Sequence, residues 1–142
     1  MSEELAVEPK PLPKPGDPLH QQYWAFCNEE RLCFQKCTGC GLWRHVPRDM
    51  CAKCWSTDWE WVESSGKGKL YTWTVVERPM HPAFFPDVPY ASIIVELEEG
   101  VRMVSMMRDL PMDELKVDLP VEVLFERASD TVVLPYFRPV QK

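Results

Sequence analysis

Hydrophobic and polar positions change their period along the chain. Leu19, Tyr23, Trp24, Phe26 and Cys27 recur at the spacing of one helix face. Asp17 ahead of Pro18 supplies an N-cap with proline at the first helical position, so the pattern predicts a short amphipathic helix running to about Glu30. From position 70 onward the period is that of strands. The runs 70–76, 90–97, 101–107, 121–126 and 132–137 are rich in β-branched or aromatic residues, and Glu98-Glu99-Gly100 reads as a hairpin connection. The stretch 109–116 lacks β-branched residues and predicts a short helical turn between the third and fourth strands. Five strands with such an interruption after the third fit a small closed barrel of the OB type.

Two other segments follow neither period. Residues 1–18 contain Pro9, Pro11, Pro13, Pro15 and Pro18 among charged residues, which fixes φ, removes amide donors and predicts an extended arm outside any core. Residues between the helix and the first barrel strand are rich in cysteine. The chain therefore divides into an extended arm (1–18), a helix with the cysteine-bearing segment (19–62) and a barrel (63–142), a mainly β protein.

Composition narrows what this fold can do. The chain has 142 residues with 16 Lys and Arg against 22 Asp and Glu, a net charge of −6. That length argues against a large enclosed active site. Residues 63–142 alone hold 13 acidic and 9 basic side chains, 9 − 13 = −4, the wrong sign for a polyanion partner, so no nucleic acid is expected. No apolar stretch approaches the roughly 20 residues that cross a bilayer, and no membrane association is expected. The N-terminus has no basic region followed by an apolar one, which points to the cytoplasm and to cysteines kept as thiols.

In that setting Cys37, Cys40, Cys51 and Cys54 carry the strongest chemical signal. They form two C-x2-C pairs separated by ten residues, and two such knuckles facing each other complete a tetrahedral four-thiolate zinc site. A closed four-sulfur shell leaves no position for water or substrate, so the metal is structural, one per chain. Gly41 after the first pair suits a positive φ, whereas Trp55 holds the matching place after the second, so the knuckles need not be equivalent. Cys33 falls too far from Cys37 along an extended strand to share the ion, and Cys27 reads as a small buried hydrophobe. His45 is expected at the surface. Lys36, Arg44, Arg48 and Lys53 would offset the net negative charge of the metal centre.

The motifs 31–40, Pro47-Arg48, Cys51 and Cys54, 65–76, Pro89-Tyr90 and 134–137, spread from about residue 12 to the C-terminus, resemble the zinc-ribbon plus OB-fold family catalogued as domain of unknown function thirty-five. The resemblance implies a rubredoxin-like zinc ribbon followed by a five-stranded OB-fold barrel. It further implies a non-catalytic companion, in a hetero-oligomer, of a thiolase-like catalytic subunit such as an acyl-CoA thiolase, acyltransferase or aldolase, with CoA or acyl-CoA as a possible ligand. One departure is Asp118-Leu119-Pro120 before the fourth strand, where relatives commonly carry a glycine.

Several residues are candidates for those roles. Lys67 and Lys69, within Gly66-Lys67-Gly68-Lys69, and Arg78 could meet phosphates, although no helix follows and a plain interdomain turn is the simpler reading. Tyr71, Trp73 and Val75 alternate along one strand, so Tyr71 and Trp73 could stack an adenine; otherwise one ring packs inside and the other under the ribbon. The loop 78–89 is apolar and proline-stiffened, which makes Phe84, Phe85 and Tyr90 the candidate partner anchors unless the rings fold back over the barrel. His81 has no neighbouring nucleophile or carboxylate, and no catalytic residue is assigned. The alternative from another class is a nucleic-acid-binding ribbon and OB module, which the acidic balance opposes.

Overall fold

In the computed structural model, which describes residues 9–140, helix α1 (Pro18–Asn28) starts as its sequence predicts. Asp17 is extended, and its carboxylate accepts from the His20 amide at 3.0 Å. The helix ends two residues before Glu30, and the reason is a capping motif without glycine. Glu30 adopts φ 58°, its amide reaches the Cys27 carbonyl at 2.9 Å, and the Arg31 amide reaches the Phe26 carbonyl at 3.0 Å.

A three-stranded antiparallel sheet follows, in the order β2-β1-β3, from β1 (Cys33–Cys37), β2 (Trp43–Arg44) and β3 (Trp59–Glu63). β3 lies outside the predicted runs although Trp59, Glu60 and Trp61 alternate in character. The five predicted barrel strands are all present as β4 (Lys67–Val76), β5 (Tyr90–Leu97), β6 (Arg102–Met106), β7 (Pro120–Arg127) and β8 (Val133–Pro139), in the order β6-β5-β4-β7-β8. The barrel nearly closes between β6 and β8, where Met107 bridges Phe137 and the Ser105 hydroxyl donates to the Pro135 carbonyl at 2.8 Å. Gly100 turns the expected hairpin at φ 91°, and a single 3-10 turn (Met112–Glu114) occupies the interruption before β7.

β4 differs from its prediction in two respects, each with a local cause. It begins at Lys67 because the glycines let three backbones meet. Gly68 pairs with both Leu97 and Val121, and a Cβ there would sit 2.4 Å from the Glu96 carbonyl oxygen. Further along, the register slips between Leu70↔Val95 and Thr72↔Ile94, leaving Tyr71 as the extra residue of a bulge. The bulge resets the alternation. Leu70 points inward before it, and Trp73 packs against the core beyond it, paired with the buried Ile93. Tyr71 and Trp73 therefore do not share the face that simple alternation predicts.

Before β7 the turn expected to need glycine is made by Asp118 itself, at φ 64°, tied to β4 by its amide on the Leu70 carbonyl at 2.9 Å. Tyr23, Cys27, Leu32 and Phe34 from the helix and ribbon join Leu70, Ile93, Val95, Val121 and Phe137 of the barrel in one apolar core. The Asn28 carboxamide fastens helix to barrel, donating to the Thr131 carbonyl at 3.0 Å and accepting from the Val133 amide at 3.1 Å. Of the arm, residues 1–8 lie outside the described residues. None of the helices is long and apolar enough to cross a membrane among the described residues.

Candidate functional site

The four sequence-predicted thiols converge at the tip of the small sheet. Their sulfurs all lie within 4.8 Å of one another, with Cys37 Sγ 3.5 Å from Cys54 Sγ and Cys40 Sγ 3.6 Å from Cys51 Sγ. Sulfurs at about 2.3 Å from a tetrahedral zinc stand about 3.8 Å apart, so the donor set fits zinc in kind, number and spacing. The two knuckles share one backbone turn although Trp55 stands where the first has Gly41. Gly41 (φ 79°) and Trp55 (φ 64°) are both left-handed, and their amides reach Cys37 and Cys51 carbonyls at 2.9 Å each. The Cys37 and Cys51 amides in turn reach the carbonyls of Leu42 and Ser56, again at 2.9 Å. Turn geometry dictates the backbone here, and a tryptophan accepts it.

Local amides favour the thiolate form at Cys37 and Cys51. The Cys54 and Lys53 amides hold the Cys51 thiol down to about 6, and the Cys40 amide lowers that of Cys37. Cys33 lies outside the cluster, paired with Glu63 across β1 and β3, and burial pushes its thiol up. Cys27 is fully buried, and burial raises its thiol to about 12, which leaves it inert.

His45 is not at the surface. It is half-buried, its ring 5.1 Å from Tyr23 and 5.3 Å from Phe34, and burial, with His20 adding to it, lowers its pKa to about 4. The segment after β2 doubles back and folds this ring against the helix. There His45, His20, Tyr23, Met103, Leu134 and Tyr136 line a cleft of about 300 Å³ between helix, ribbon and barrel. Sequence reasoning missed this cleft because its residues come from four separate segments.

The candidate CoA contacts are spread along β4 rather than gathered. Lys67 and Lys69 are exposed within the strand instead of forming a phosphate loop, and Lys69 lies 3.8 Å from Asp118. Tyr71 is exposed with the Arg102 guanidinium stacked 4.0 Å from its ring centroid. Trp73 is committed to packing, and Arg78 lies beyond the end of the strand. In the 78–89 loop a 3-10 turn (Pro82–Asp87) is capped by His81, whose Nδ1 accepts from the Ala83 amide at 3.1 Å. That turn separates the two phenylalanines. Phe84 is half-buried between His81 and Tyr90, with ring centroids at 6.2 and 5.9 Å, and Phe85 remains 55% exposed.

Two family models match adjoining parts of the chain. Residues 24–60 match the ChsH2 rubredoxin-like zinc ribbon domain and residues 61–126 match the ChsH2 C-terminal OB-fold domain. The chain belongs to the ChsH2 zinc-ribbon and OB-fold family. Among its relatives, a "DUF35 domain-containing scaffold protein" of Methanocaldococcus jannaschii is 34% identical over 80% of this chain and 86% of its own length. A "probable enoyl-CoA hydratase alpha subunit" of Thermomonospora curvata is 35% identical over 97% of this chain, which spans only 43% of that protein. In structure, a chain of the "Ltp2-ChsH2(DUF35) aldolase" superposes with a TM-score of 0.81 at 34% identity, covering 89% of this chain and 98% of its own.

Proposed function

We propose that the chain is a non-catalytic subunit of a thiolase-like, acyl-CoA-directed enzyme, built around one structural zinc. The observation that carries this reading is the likeness, at a TM-score of 0.81 and over nearly the whole of the other chain, to a chain of the "Ltp2-ChsH2(DUF35) aldolase". The hydratase alpha subunit of Thermomonospora curvata, matched over 97% of this chain, supports the acyl-CoA context. The four-thiolate shell leaves zinc no open position, so the metal holds the ribbon together and activates no water. Contact with CoA, on this reading, falls to the exposed Lys67, Lys69 and Tyr71, with Arg102 backing the ring; Trp73 and Arg78 would contribute less. Of the aromatics in the 78–89 loop, Phe85 is the exposed one and anchors the catalytic subunit on this reading.

Affinity purification of the full chain at native expression level tests the assignment. A stoichiometric thiolase-like protein identified by mass spectrometry is the expected result. Purification of the chain alone, or with a protein unrelated to acyl-CoA chemistry, would overturn it.

A further inference from the structure

The arm lies on the barrel, and its composition dictates how it is held. Prolines at 9, 11, 13 and 15 leave Lys10, Leu12 and Lys14 each directly before a proline, so this stretch is confined to extended, polyproline-like backbone. With no N–H on every second residue it cannot join a sheet edge as a ladder strand, and side chains hold it instead. Residues 9–12 line one groove with Phe84 of the 78–89 loop and with Leu134 and Tyr136 of β8, and Leu12 and Pro13 are half-buried.

Lys10 makes two contacts with the 3-10 turn Pro82–Asp87. Its ammonium pairs with the carboxylate of Asp87, the last residue of the turn, and lies 5.4 Å from the Phe84 ring centroid. Asp87 Oδ2 is shielded from water and has no hydrogen-bond partner of good geometry, so the Lys10 charge is what compensates it. His81 caps the start of the turn and Tyr90 packs on Phe84, whereas the far end of the turn is met by Lys10. Phe85, 55% exposed, stands between the two residues that Lys10 touches.

We propose that the arm is an intramolecular strap, with Lys10 as its latch, that fixes the 82–87 turn and with it the direction in which Phe85 leaves the surface. The consequence for assembly rests on the reading of Phe85 as the anchor for the catalytic subunit. An anchor on a loop that is already ordered loses less conformational entropy on docking than one whose loop is ordered only at that moment. The alternating prolines serve the same end, because a backbone already confined to the extended form loses little freedom when it lies down.

Hydrogen exchange in the free, zinc-loaded full chain tests the strap. The Ala83 and Phe84 amides report on the turn, since they reach His81 Nδ1 and the His81 carbonyl at 3.1 Å each, and the amides of β5, paired on both sides, report on the barrel. Lys10→Met keeps the aliphatic stem and removes the charge. It should speed exchange at Ala83 and Phe84 by about fivefold or more and leave β5 within about twofold of wild type, while Lys10→Arg should exchange as the wild type does. Asp87→Asn should reproduce the effect, and Lys10→Met added to it should bring less than about a twofold further change, because the two side chains act as one pair. Unchanged exchange at Ala83 and Phe84 in Lys10→Met overturns the strap. Acceleration shared equally by β5 also overturns it, since Lys10 would then support the fold as a whole. Association with the co-purified catalytic subunit is measured separately, and Lys10→Met should weaken it by about threefold or more although Phe85 is untouched. Faster exchange with unchanged association upholds the strap and removes Phe85 from the interface, so the two readings fail separately.

Discussion

The Gln35 carboxamide pairs with both backbone polar groups of Arg48, accepting from its amide at 2.7 Å and donating to its carbonyl at 3.0 Å. Gln35 is fully buried, and its oxygen accepts a further bond from Arg44 Nε at 3.0 Å. One side chain thus stands in for a strand partner and holds the segment between the knuckles in register. Gln35→Leu keeps the volume and removes these bonds, leaving buried polar groups unpaired. The expected loss is about 2–4 kcal/mol in urea unfolding, with faster zinc release to a chelator. Unchanged stability would mean that water replaces the carboxamide.

The metal prediction separates the six cysteines. Purified protein should hold about one zinc per chain, and serine at Cys37, Cys40, Cys51 or Cys54 should abolish it and unfold the ribbon, because a structural site can contribute on the order of 10 kcal/mol. Cys33→Ser should leave zinc content unchanged, since that sulfur lies outside the cluster. Elemental analysis of the purified variants decides the assignment.

The shared knuckle turn makes Trp55 a strained residue at a position where Gly41 is at ease. Trp55 is 75% exposed at φ 64°, so little burial offsets the cost of the left-handed backbone. Trp55→Gly should stabilise the zinc-loaded chain by about 0.5–1 kcal/mol, and Gly41→Ala should destabilise it by about 1 kcal/mol. Nothing lies within 4 Å of a Cβ at Gly41, so crowding cannot account for that loss. Thermal unfolding at saturating zinc reads both signs.

What the sequence made legible was whatever depends on spacing. The paired cysteines and the Asp17 cap are local patterns found where they were expected, and each of the five barrel runs holds a strand, β4 starting three residues early. What stayed hidden depends on partners distant in sequence. The bulge at Tyr71 exists because β4 must accommodate the register of β5, and no count along β4 alone reveals it. Glu30 and Asp118 take left-handed turns that composition assigns to glycine, because capping and strand-pairing bonds hold them there. Gln35 resembles any polar strand residue until Arg48 folds over it. His45 likewise seemed a surface histidine until the same fold-back placed it against Tyr23 and Phe34.

His45 gives the stability a pH dependence. Its pKa is about 4 in the folded chain against about 6.5 unfolded, so between these values the unfolded state binds more protons and stability falls as pH falls. The full difference is at most about 3 kcal/mol. Zinc loss in acid adds a slope of its own, which a control must share. His45→Phe should retain that slope and lose the histidine component, so the gap between variant and wild type should change between pH 6.5 and pH 4 in urea titrations. A constant gap would show that the ring is hydrated when folded.

The two phenylalanines of the 78–89 loop should separate folding from assembly. Phe84 lies between His81 and Tyr90 beneath Lys10, so Phe84→Ala removes packing within the chain and should lower its stability by about 2 kcal/mol, less than for a fully buried ring. Phe85 has 55% of its surface exposed, and Phe85→Ala should stay within about 0.5 kcal/mol of wild type in the free chain. If Phe85 anchors the catalytic subunit, the same substitution should cost at least about 2 kcal/mol of association, measured by titration calorimetry with the co-purified partner. Association unaffected by Phe85→Ala would move the contact to another exposed face, for which the ribbon offers the exposed Leu42, Met50 and Trp55, and Trp55→Gly would then be the substitution that weakens assembly while stabilising the free chain.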